Sequence, residues 1–219
     1  MDYNNNYYSP RQHNFEKGRM RLNGLGVLKV EPDIAIVTMG VITEDKNLEK
    51  AQKENAIRTN RVIEGLKSIG INEEDISTSS YNIEPQYDFV EGRQKFRGYK
   101  VSNILNVKVR DINKVGEVVD KAVQSGANSV SNIKFTAENI DSYYNKALKL
   151  AITDVVLKAV EVSNTLNVQL NRTPVSIVEK SLREVGESTI DLKAYSASTP
   201  IVPGEINVVA RIEAVFCYY

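Results

Sequence analysis

The stretch IAIVTMGVI, Ile34 to Ile42, is apolar almost without a break, whereas EINVVARIEAVF near the far end alternates strictly, with Ile206, Val208, Ala210, Ile212, Ala214 and Phe216 on one side. The unbroken run predicts a strand covered on both faces, and the alternation predicts a strand with one buried face. A strand from Met20 to Val30 carries two glycines and is followed by Pro32-Asp33 as a turn, so the first two strands are expected to form a hairpin. TPVSIVEKSL and the segment Val130 to Ala137 add two shorter strands.

Three stretches switch to helical period. After Asp45 or Asn47, either of which can cap a helix, Leu48, Ala51, Asn55, Thr59, Val62, Leu66 and Ile69 share a stripe that Gly70 terminates. Asn55 and Thr59 interrupt the stripe, which implies either a small internal hydrogen-bond network or a face that turns partly outward at mid-helix. Asp111 caps a second helix, with Val115, Val118, Val119 and Ala122 inward and Gly126 at its end. The third runs from Ile140 to Leu166, with Ile140, Tyr144, Ala147, Ala151, Val155, Ala159, Val162 and Leu166 on one stripe. At 1.5 Å per residue it is about 40 Å long, enough to support more than one layer.

The segment YNIEPQYDFVEGRQKFRGYKVSNILNVKV, Tyr81 to Val109, reads as two long strands around a polar tip. Tyr81, Ile83, Pro85, Tyr87 and Phe89 fall on one face, as do Tyr99, Val101, Leu105, Val107 and Val109 on the return, so a hairpin with one buried side is expected. Phe96 is out of step with Tyr99, which marks a bulge near Gly98. Pro85 cannot donate to a ladder and belongs on an edge strand or at an irregularity. Nine residues from Tyr81 to Phe89 would span about 30 Å, against about 20 Å for an ordinary strand, so the far end is expected to overhang.

Residues 1–19 lack any apolar period and are expected to form a flexible tail, and residues 183–204 read as a long connection. The order ββαββαβαββ places the chain in the α+β class. Its antiparallel sheets are built from hairpins with helices packed on one side, within a single domain from residue 20 to 219.

Charge narrows the partners. Lys plus Arg and Asp plus Glu both number 28, so no bulk field draws the chain to nucleic acid or anionic lipid. No apolar run approaches the roughly 18 residues of a membrane span. The start MDYNNNYYSPRQHNFEKGR lacks the apolar core of a secretory signal, and the one cysteine, Cys217, excludes an internal disulfide. A cytoplasmic location is the expectation.

Catalytic chemistry finds little support. The one histidine, His13, sits in the tail, and no nucleophile elbow or phosphate loop occurs. GLGVLK, Gly24 to Lys29, lacks the third glycine of a dinucleotide loop and runs on into a strand, so its glycines are read as thinning that strand for close packing. The acidic run Glu73-Glu74-Asp75 reads as a solvated turn rather than a metal site. Cys217, at the end of an apolar strand, reads as an inert core thiol rather than a reactive one. No catalytic residue, metal or cofactor is therefore expected. What stands out is Tyr81, Pro85, Tyr87, Phe89, Phe96 and Tyr99 on the long hairpin, which either pack an assembly surface or hold a ligand.

GLGVLKVEPDIAIVTMGVITE, IEPQYDF, GYKVSNILNVKVRDINKVGEVVDKAVQSGAN and TPIVPGEINVVARIEAVF occur in the order found in the SIMPL-domain proteins, and the resemblance spans about Leu22 to Phe216. That group includes bacterial periplasmic immunogenic and oxidative-stress-defence proteins. The resemblance implies an α+β protein that assembles into homo-oligomers, with no established catalytic residues to carry over and with bacterial members linked to stress tolerance. The lack of an export signal departs from the usual bacterial pattern. The expected function is a non-enzymatic, self-assembling protein. The alternative is a small-molecule or peptide binding module that uses the hairpin aromatics or an inter-subunit cavity.

Overall fold

A computed structural model of the chain describes residues 18–180, 184–186, 201 and 203–219. The tail expected over residues 1–19 lies outside these, apart from Gly18 and Arg19, which open the first strand, and most of the connection over 183–204 lies outside them too. The elements in order are β1 (Gly18–Val30), β2 (Ile34–Asp45), α1 (Leu48–Ser68), β3 (Ile76–Val90), β4 (Arg93–Val109), α2 (Val115–Ser125), β5 (Ser129–Thr136), α3 (Ile140–Leu166), β6 (Ser176–Glu179), β7 (Glu184–Gly186) and β8 (Ile206–Tyr218). The α+β expectation is met, with β7 a short strand additional to those foreseen.

The strands form two four-stranded sheets. One has the order β3-β4-β2-β5; the other runs β1-β8-β6, with β7 also paired to β8. β1 and β2 therefore do not form the expected hairpin. Both edges of β2 are taken, by β4 from Ala35↔Val109 to Asp45↔Tyr99 and by β5 from Ile34↔Thr136 to Gly40↔Ser129.

Two compact units result. The larger contains β2 to β5 with α1 and α2. Its core is Val37, Met39 and Val41 from β2, Val101, Leu105 and Val107 from β4, and Val62, Leu66, Val118 and Ala122 from the helices, all at most 2% exposed. Asn47 caps α1, its side chain accepting from Lys50 N–H at 3.1 Å, and Gly70 ends it at φ +93°. Asn55 settles the question its sequence position raised. Its amide donates to the carbonyls of Val41 at 2.9 Å and Val101 at 3.1 Å, and its own oxygen accepts from Thr59 Oγ1 at 3.4 Å. An internal network thus pins the helix to two strands. Asp111 caps a single 3-10 turn that leads into α2, and Gly126 closes α2 at φ +118°.

The smaller unit contains β1 up to Val27, α3 from Tyr144, β6, and β8 from Val209. Gly18 faces the Tyr218 ring and Gly24 faces Ile212, so β1 runs antiparallel to β8. α3 lies against β1 at very short range. A Cβ on Gly24 would come within 2.2 Å of the Ala151 carbonyl oxygen, and one on Gly26 within 1.9 Å of that of Ala147. The GLG stretch thins the strand so that a helix backbone can rest on it. Close approach also selects small side chains on the helix. The buried stripe runs Ala147, Ala151, Val155, Ala159 and Ser163, while Leu166, expected inward, is 56% exposed.

Candidate functional site

The hairpin β3–β4 outgrows its sheet. β2 ends at Asp45, opposite Tyr99, and beyond that pair the hairpin continues, with no third strand among the described residues, as a two-stranded ribbon to Val90↔Arg93. Five steps of about 3.4 Å carry it roughly 17 Å past its last neighbour. The turn residues Glu91 and Gly92 both have positive φ, +51° and +76°, the geometry of a two-residue hairpin turn. The expected bulge is present: Gln86 pairs Gly98 and Tyr87 pairs Phe96, which leaves Arg97 as the extra residue. Gly98 is packed so closely that a Cβ would lie 2.8 Å from the Asp45 carbonyl oxygen.

Register sorts the ribbon into two unlike faces. One brings together Ile83 with Val101, Pro85 with Tyr99 and Tyr87 with Phe96. Tyr87, Phe96 and Tyr99 stack edge to face, with centroids 5.8 Å and 5.2 Å apart. The opposite face pairs Glu84 with Lys100 and Asp88 with Lys95, and Arg97 reaches both Asp88, at 3.7 Å, and Glu44, at 3.0 Å. The charges on that face answer one another, so the apolar face is the unsatisfied one.

The expectation of one buried side holds on β4 alone. Val101, Leu105, Val107 and Val109 are buried, but no residue of β3 is, and Phe89 stands 74% exposed. The reason is coverage: α1 packs on β2 and β4, while β3 is an edge strand, which is where Pro85 was expected. Of the six residues singled out by sequence, Tyr87, Phe96 and Tyr99 form one cluster, Phe89 projects beyond it, and Pro85 and Tyr81 line the way back to the core. Sequence reasoning missed Asn103, which lies opposite Tyr81 on the same face and whose Oδ1 is buried with no hydrogen-bond partner among the described residues. Its place in the period-two series between Val101 and Leu105 was the available signal.

The acidic run is less solvated than expected. Asp75 is buried and held by two bonds from Arg110, at 3.0 and 3.1 Å, while Glu73 accepts from Lys67 at 3.1 Å. Arg110 also binds Glu138, which Lys108 reaches at 2.9 Å. The bonds from Lys108 and then Arg110 hold the Glu138 carboxyl below its usual range. A cleft of about 160 Å³ beside this network is floored by Ile69, Val109 and Val118. Its Asp75 and Arg110 are already engaged with each other. Cys217 is buried, and among the described residues no helix is long and apolar enough to cross a membrane.

Two antiparallel sheets with their own helices, one of them extended into an aromatic ribbon, define an α+β protein of the kind the motif order implied. The chain belongs to the SIMPL family, described as a protein of unknown function (DUF541), which matches residues 20–216. It is similar to the 26 kDa periplasmic immunogenic protein of Brucella melitensis, with 26% identity over 217 positions covering 92% of this chain and 85% of the relative. It is also similar to the uncharacterized protein YggE of Escherichia coli K12, with 28% identity over 142 positions covering 65% of this chain and 58% of the relative. The periplasmic naming of the Brucella relatives overturns the expectation of a cytoplasmic location. That expectation rested on the first residues and on the single cysteine, and a fold without disulfides is equally compatible with an oxidising compartment.

Proposed function

We propose that this chain is a non-catalytic, self-assembling SIMPL protein that works outside the cytoplasm, as the names of its periplasmic relatives suggest, and contributes to stress tolerance. The observation that carries self-assembly is the uncovered aromatic face of the β3–β4 ribbon, projecting past the sheet beside an edge strand. Pro85 interrupts the donors along that edge, which favours side-chain packing against a neighbouring copy over a continuous intersubunit sheet. The physiological part rests on the resemblance to stress-defence members. A non-catalytic role is supported by the ionisable groups, whose resolved shifts arise in ion pairs that already satisfy them.

The test shortens the arm. Replacing Tyr87 to Arg97 with Asn-Gly makes Gln86 and Gly98, already a cross-strand pair, the flanks of a two-residue turn. Light scattering is expected to report a smaller assembly while circular dichroism reports an intact fold. An unchanged mass would refute the assembly arm and turn the aromatics over to ligand binding.

A further inference from the structure

β1 is the terminal strand of its sheet among the described residues, with β8 on one side only. No described strand pairs with the outer edge of its thirteen residues, and such an edge is a template on which another chain can pair. Two side chains of α3 occupy the middle of it. Asp154 Oδ2 accepts from Leu25 N–H at 2.8 Å, and Lys158 Nζ donates to the Asn23 carbonyl at 3.1 Å. In an antiparallel ladder the N–H and C=O of one residue point to the same side and those of the next to the other, so Asn23 and Leu25 both present their groups away from β8. The helix thus supplies one acceptor and one donor where a neighbouring strand would have supplied them. Lys158 also bonds Asp154 directly at 2.7 Å, which holds both heads in place.

Geometry explains how the short Asp154 side chain reaches the strand. The glycines at 24 and 26 let the α3 backbone rest on β1, and Asp154 and Lys158 lie one turn apart, just beyond the Ala147 and Ala151 contacts. Without that contact the carboxylate would fall short of the strand. The Lys158 bond and then the Leu25 bond hold the Asp154 carboxyl below its usual range, so the accepting form persists.

We propose that Asp154 and Lys158 guard the β1 edge, standing in for a missing strand and preventing a second copy of the chain from adding there. This edge is separate from the aromatic arm, and the guard does not depend on what the arm does. It narrows association to other surfaces by satisfying the groups that a stray strand would seek.

The experiment uses the full chain with the shortened arm, so that arm-mediated assembly does not obscure the result. D154A/K158A removes the guard, and D154N/K158Q keeps an acceptor and a donor while removing the charges. In D154A/K158A the Leu25 amide is expected to exchange about tenfold faster or more, and light scattering is expected to show larger species as concentration rises. D154N/K158Q is expected to match its parent in both. Adding Leu25→Pro to the alanine pair removes the exposed donor and is expected to abolish the larger species. If the double alanine variant loses its circular dichroism, D154A alone, which frees the Leu25 N–H, carries the same two readouts. Unchanged mass and exchange in the alanine variants would overturn the proposal, as would equal association by the amide pair or larger species that persist with proline at position 25.

Discussion

Asn55 carries more of the fold than its polarity suggests. Both amide protons are spent on carbonyls of different strands, so Asn55→Ala removes two buried hydrogen bonds and leaves a void beneath α1. The expected loss is about 2 kcal/mol, read as a lower urea midpoint with an unchanged slope. Helical period put this residue on the apolar stripe but left open whether the stripe turned outward there. Period could not name its partners, because the carbonyls of Val41 and Val101 come together only once β2 and β4 are paired. Asn103 shows the same boundary: two-residue alternation gives its face, but what lies over that face depends on where α1 stops.

Elements were legible where their signals are local. The extent of α3, the glycine endings of α1 and α2 and the bulge near Gly98 all rest on residues adjacent in the chain. The pairing of β1 was not legible. Proximity favoured β2, and the partner lies at the other end of the sequence, in β8. The inward stripe of α3 was misjudged at its end, where hydrophobicity favoured Leu166 but Ser163 is the buried residue. The seam gives a sharp expectation. Gly26→Ala places a methyl against the Ala147 carbonyl and the Ala151 nitrogen, backbone atoms that cannot step aside. A loss of about 3 kcal/mol is expected from chemical denaturation, and a change below about 0.5 kcal/mol would show that the helix lies farther from the strand.

At the scale of the whole molecule, stability is expected to respond to acid. Glu138 in the larger unit and Asp154 in the smaller are both held below their ordinary values by cations and hydrogen bonds. Such carboxylates contribute stability above the unfolded value, near 4, and lose it as the pH falls through their folded values. The melting temperature is therefore expected to be flat from pH 7 to about 5 and to fall below about 4, less steeply in high salt because Glu138 is exposed and Asp154 only half-buried. A profile flat to pH 3 would show that these pairs contribute nothing. The class of the fold, its helices and the aromatic face were thus written in the chain, whereas the division into two sheets and the edge guard arise from contacts between distant segments.

The ribbon beyond Asp45 has one further consequence. Two strands without a third are marginal in water, and this pair keeps its apolar side bare. Under the assembly proposed above, its order is a matter of mass action: a copy that covers it would lend free energy in proportion to the logarithm of its own concentration, and dilution would withdraw it. The tip would then be the part of the chain whose local stability reports how crowded its compartment is with its own kind.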